Sequence, residues 1–165
     1  MMKKMIALMM IAAMLLTAVA FAEEYRCERI AFTYDENVFE ISYDDVGEND
    51  DHLVVLSSKN EEQDNAYIRF YTYMQGEDEQ IPTAESVQAL YPDAEVTQGE
   101  WNGFNDVVMF DNGDEFTYLV PLTTGEVLTV GVGVTEIEDE DVAMYRDDMI
   151  SAVLDTLEII PEIAG

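Results

Sequence analysis

Residues 104–120 read FNDVVMFDNGDEFTYLV, two apolar-patterned runs (Phe104 to Phe110 and Glu115 to Val120) on either side of DNGD. Asn112-Gly113 is a strong hairpin signal, because both central residues of a type I′ turn need positive φ, which Asn and Gly tolerate. A tight turn joins only antiparallel neighbours. This stretch alone therefore commits the chain to an antiparallel sheet.

The rest of the chain agrees, because turn signals come often and the segments between them are short. Ile30 to Tyr34 reads as a first strand, closed by Asp35-Glu36-Asn37. Val38 to Tyr43 alternates, with Phe39, Ile41 and Tyr43 on one face, the period of a half-buried strand. Leu53 to Leu56 is a continuous apolar run suited to a central strand, and Ala66 to Met74 is the clearest strand of the first half. Thr124-Gly125 makes the turn into Val127 to Thr135. There Leu128, Val130, Val132 and Val134 share one face, while Gly131 and Gly133 share the other. Two glycines on one face mark a bend or a closely packed neighbour, and a helix is expected there ahead of a ligand.

Two helices interrupt the strands. Thr83 stands as a cap before Val87, Leu90 and Tyr91, which share a face, and Pro92 stops the run. The third position after Thr83 is Ser86, so the Glu that completes a capping box is missing. At the end of the chain, Asp139-Glu140-Asp141 place negative charge at a positive dipole end. Met149 or Ile150, Val153, Leu154 and Leu157 then recur at helical spacing, predicting a helix of roughly twenty residues that ends at Pro161. The expected class is α+β: an antiparallel sheet of about seven strands with a short middle helix and a long C-terminal helix.

The first residues read as a bacterial secretory leader. Lys3 and Lys4 precede an apolar run from Met5 to Val19, broken only by Thr17, and Ala20-Phe21-Ala22 gives the small-x-small cleavage pattern. The run is shorter than the ~20 residues a spanning helix needs. The expected organisation is a signal peptide over 1–22 and one domain over 23–165, long enough to bury about two thirds of its unfolded surface without a disulfide. Cys27 follows Glu24-Tyr25-Arg26, large and charged where lipid attachment wants small residues, so the protein is expected outside the cytoplasmic membrane without a lipid anchor. A lone cysteine forms no intramolecular disulfide, and the single histidine, His52, is not brought to it by anything in the sequence.

Charge narrows the function further. The chain carries 36 acidic residues against 7 basic ones, a formal −29. Beyond the leader only Arg26, Arg29, Lys59, Arg69 and Arg146 are basic. Such a surface repels phosphate backbones and anionic headgroups, so no nucleic acid and no anionic membrane surface is expected as a partner. Tyr, Phe and Val are frequent enough that this is a folding chain and not a disordered polyacid.

FTYDENVFEISYDD, a helix after PTAES, EVTQGEWNGF before a meander, and a closing ISAVLDTLEI together resemble the PsbP-like fold, which includes the extrinsic subunit of the photosystem oxygen-evolving complex and many small secreted or lipid-anchored bacterial proteins. The resemblance rests on element order and hydrophobic pattern across residues 23–165. It implies an α-β-α sandwich and a non-catalytic accessory or binding role. The lipid-anchor motif common among the bacterial relatives is lacking.

Three kinds of site suggest themselves. On the strand from Ala66 to Met74, Tyr67, Arg69, Tyr71 and Tyr73 point one way, a set suited to stacking a sugar or docking a protein. Trp101, beside an Asn-Gly turn, belongs either to that rim or to the core. The loop DDVGENDDH gathers Asp44, Asp45, Glu48, Asn49, Asp50 and Asp51, the densest oxygen-ligand cluster and the place for calcium, although it lacks the register of a twelve-residue calcium loop. DNGDE and EIEDED are better explained as a hairpin turn and a helix start. A hydrolase would need paired carboxylates, but with this many acidic residues proximity alone says little. No HExxH, GxSxG or phosphate loop occurs, and Gly131-Val132-Gly133 lies inside a strand. The leading expectation is a secreted non-catalytic binding or accessory domain. A calcium-binding domain comes second and a carboxylate-dependent hydrolase third.

Overall fold

The computed structural model describes residues 22–47, 51–59, 66–74, 81–122, 125–134 and 140–160. The expected leader through Phe21, Thr124, Asp139 and Pro161 lie outside them. Among the described residues ten strands and two helices follow in order: β1 (Ala22–Arg26), β2 (Ile30–Asp35), β3 (Phe39–Val46), β4 (His52–Ser58), β5 (Tyr67–Met74), α1 (Ala84–Leu90), β6 (Thr97–Trp101), β7 (Phe104–Asp111), β8 (Phe116–Pro121), β9 (Glu126–Gly133), α2 (Glu140–Leu154) and β10 (Glu158–Ile159). The class is α+β with antiparallel sheets. A seven-stranded sheet runs in the order β3-β4-β5-β9-β8-β7-β6, and a three-stranded sheet in the order β1-β2-β10. The large sheet is two meanders joined along β5 and β9, which pair from Tyr67–Gly133 to Met74–Glu126.

Alternation decides which face is buried. Val54, Leu56, Ile68, Phe70, Val120, Leu128 and Val130 point to one side of the large sheet. There they meet Ile30, Phe32 and Tyr34 of β2 and Ile150, Val153 and Leu154 of α2. Phe32 stacks on Phe70 with ring centroids 4.6 Å apart, joining the two sheets. Burying a side chain of that size contributes about 1.5–3 kcal/mol. On the opposite face a smaller cluster of Val87, Val108 and Phe110 seats α1.

Several local outcomes differ from expectation. The Asn112-Gly113 hairpin forms, but not as a type I′ turn: of the two only Gly113 has positive φ, the Asp111 carboxylate accepts from the Gly113 N–H, and the Asn112 side-chain oxygen accepts from the N–H groups of Asp114 and Glu115. The I′-like geometry sits instead at Asn102-Gly103 (φ 49° and 78°), between the paired Trp101 and Phe104. Asn102 also donates from Nδ2 to the Leu154 carbonyl at 2.8 Å, tying this turn to the end of α2. In β3 the register shifts between Ile41 and Tyr43. This places Tyr43 on the face opposite Phe39 and Ile41, where it is 48% exposed. Helix α2 stops at Leu154 instead of running on, because the chain extends into β10 against β2. Leu157 is still buried. Thr83 caps α1 with Ser86 completing the reciprocal bonds that Glu usually makes. Leu90, expected beside Val87, is 76% exposed.

Among the described residues, no helix is long and apolar enough to cross a membrane.

Candidate functional site

Tyr67, Arg69, Tyr71 and Tyr73 stand half-buried along β5, on the face of the large sheet opposite the main core. The pairing register explains the two glycines of β9: Tyr67 lies opposite Gly133 and Arg69 opposite Gly131. Directly opposed side chains share a face about 4.5–5.5 Å apart. A Cβ on Gly133 would overlap the Tyr67 ring, and one on Gly131 would overlap the Glu115 carboxylate. The close neighbour is thus neither the expected helix nor a ligand, but two side chains of the protein itself.

Glu115 organises this face. It enters from the β7–β8 turn, and its side chain is only 9% exposed. The Arg69 guanidinium donates to both of its oxygens, the Tyr67 hydroxyl donates to Oε2 at 3.1 Å, and Thr117 Oγ1 to Oε1 at 3.3 Å. The sequence places Glu115 where the DNGD turn passes into the next strand. Its parity with Thr117 and Leu119 was the available signal, but only the register against β9 reveals what it faces. Burial raises the Tyr67 pKa, with help from the Glu115 charge and hydrogen bond and opposition from Arg69.

Towards the β3 edge, Tyr71 Oη donates to Asp51 Oδ2 at 2.9 Å and Tyr43 Oη to Asp45 Oδ2 at 3.2 Å. The Asp51 hydrogen bond, then burial, raises the pKa of Tyr71. The Asp45 charge raises that of Tyr43. Tyr71 and Tyr73 stack with centroids 5.3 Å apart, as residues two apart on one strand face can. A recess of about 350 Å³ opens among Tyr43, Asp45, Asp51, Leu53, Arg69 and Tyr71. On the other side of Arg69 a groove of about 550 Å³ runs between the sheet and α1.

The acidic loop is not gathered into one site by the residues described. Asp44 Oδ1 lies 2.7 Å from His52 Nε2, while its neighbour Asp45 belongs to the opposite face with Asp51. Glu48, Asn49 and Asp50 lie outside the described residues. Among those described, no three His, Cys, Asp or Glu side chains are grouped to hold a metal. Trp101 stacks on Tyr118 at 4.2 Å and packs on the main core; it belongs to the core and not to the tyrosine rim. Cys27 is a free thiol against the same core. Tyr25 connects it to the single histidine: its hydroxyl lies 3.4 Å from His52 Nε2, and burial, followed by the Cys27 and Asp44 charges, pushes its pKa up.

The chain matches no family model, no curated protein and no solved structure.

Proposed function

We propose that the protein is a secreted, non-catalytic binding or accessory domain that meets its partner through the outer face of β5. One observation carries the reading. Four side chains suited to recognition, Tyr67, Arg69, Tyr71 and Tyr73, stand together half-buried on the face that the main core leaves, and α1 seats at the other end of that face on Val108 and Phe110. Tyr and Arg offer large contact area at low entropy cost and are enriched where proteins bind one another. Release from the cell is supported by the Lys3-Lys4, apolar and Ala20-Phe21-Ala22 leader. Freedom from a lipid anchor is supported by Glu24, Tyr25 and Arg26 ahead of Cys27. A PsbP-like α-β-α layering is supported by α1 on one face of the large sheet and α2 on the other.

The reading is tested by incubating the immobilised protein with the extracellular fraction of the source cells, alongside an Arg69→Ala/Tyr71→Ala variant. Material retained by the natural protein and lost by the folded variant supports the face. Equal retention by both places the contact elsewhere and ends the reading.

A further inference from the structure

The identity of the partner follows from what surrounds Arg69, on the premise that the β5 face is the binding face. Arg69 divides it into two unlike halves. The groove beside α1 is lined by Tyr73, Val87, Leu90, Tyr91, Phe110 and Leu119, and exposed Leu90 and Tyr91 stand at its edge. Exposed apolar side chains grouped around a groove mark an interaction site more often than a random surface does. The recess on the other side is lined by two carboxylates, Asp45 and Asp51, each held by a tyrosine hydroxyl. The guanidinium of Arg69, which also lines the recess, is already engaged by Glu115, so its charge is matched there and Asp45 and Asp51 leave the recess with a net negative lining. Tyrosine rings beside carboxylates suit an alkylammonium or guanidinium, which gains both charge pairing and cation–π attraction. The overall charge of −29 steers cations inward from a distance and repels a second copy of the chain.

We propose that this face docks a basic segment of a partner protein, with apolar side chains in the groove beside α1 and a Lys or Arg side chain in the recess between Asp45 and Asp51. Both halves are needed: the recess selects charge, and the groove supplies buried area that a salt-screened charge contact lacks.

The test uses three synthetic peptides of equal length, built from Leu and Lys, from Leu and Glu, and from Ser and Lys, each titrated into the protein at physiological salt. The Leu/Lys peptide is expected to bind at least tenfold more tightly than the other two. Asp51→Asn and Tyr71→Phe, both close in shape to the native residues, are each expected to weaken it several-fold. Asp155→Asn, which removes the same charge beyond the end of α2, is expected to leave it unchanged; thermal melts confirm that all variants are folded. A loss with Asp155→Asn equal to that with Asp51→Asn overturns the inference, since only the overall polyanion is then felt. Equal binding of the Leu/Lys and Ser/Lys peptides also overturns it, by removing the groove. If a neutral oligosaccharide binds and Tyr71→Ala abolishes that binding while no peptide is discriminated, the basic partner is wrong and the binding face stands. Sedimentation showing a dimer that Tyr71→Ala dissolves would replace the partner by a second copy.

Discussion

Removing the Glu115 side chain should loosen the whole outer face. In the native protein its carboxylate accepts from Arg69, Tyr67 and Thr117 while almost fully buried. A hydrogen bond to a charged group contributes about 1.5–3 kcal/mol net, and an ordinary one about 1 kcal/mol. Arg69 remains about a third exposed, so its share belongs nearer the low value typical of accessible ion pairs, about 0–1 kcal/mol. Glu115→Ala should therefore cost about 2–3 kcal/mol, lowering Tm by roughly 5–10 °C for a domain of this size. Urea denaturation is the cleaner assay, with the midpoint falling at an unchanged slope. The decisive comparison is a double-mutant cycle with Arg69→Ala. Side chains that share one network show coupling of about 0.5–3 kcal/mol, whereas independent sites add to within about 0.5 kcal/mol. Additivity within that margin, or a Glu115→Ala cost under about 0.5 kcal/mol, would refute the placement of Glu115 at the centre of the face.

Gly133→Ala should destabilise by about 1–3 kcal/mol, the usual range for overpacking, because its methyl displaces the Tyr67 ring; urea melts should show most of that loss disappear in a Tyr67→Ala background. Asn102→Ala should cost about 1–2 kcal/mol through its left-handed backbone and its bond to Leu154, with Asn102→Gly milder in the same thermal melts. Tyr67 and Tyr118, both raised by burial first, hold their protons more tightly in the folded than in the unfolded chain. Their contribution to stability is complete below the unfolded tyrosine pKa of about 10 and is lost as pH rises through the higher folded values. Ultraviolet titration should show a late-ionising tyrosine fraction that disappears in denaturant. Calcium at millimolar concentration should move Tm no more than sodium chloride of matched ionic strength, because the described carboxylates Asp44, Asp45 and Asp51 are split between two faces; an excess of several degrees would favour the calcium reading instead.

Most of the strands were legible because period-two alternation is a local property: Phe70 and Tyr71 declare opposite faces without knowledge of anything else. The same locality explains the failures. A single bulge at Ser42 inverts every later side chain of β3, and alternation carries no mark of an inserted residue. Two Asn-Gly pairs look equivalent in sequence, yet only Asn102-Gly103 has a strand pair closing directly over it. The β1 and β10 strands were missed because neither is patterned; each exists by adding to β2, a tertiary event. Helix α2 ends early for the same reason, since Leu157 finds burial as readily in an extended segment as in another helical turn. For the site, the β5 face could be read from spacing, but its anchor could not. Glu115 is 46 residues from Arg69, and only the β8–β9–β5 register brings them together.

That separation has a kinetic consequence. The strands β3 to β5 and β6 to β9 are each runs of neighbouring hairpins that can close within microseconds, whereas the β5–β9 seam must wait for a long loop to close. Such non-local pairing slows folding. Until the seam forms, β5 offers a bare hydrogen-bonding edge and Arg69 has no Glu115. Mutual repulsion among the many carboxylates should keep such half-folded chains apart while they wait, so that the same charge which selects a partner later would first guard the unfinished sheet against pairing with another molecule.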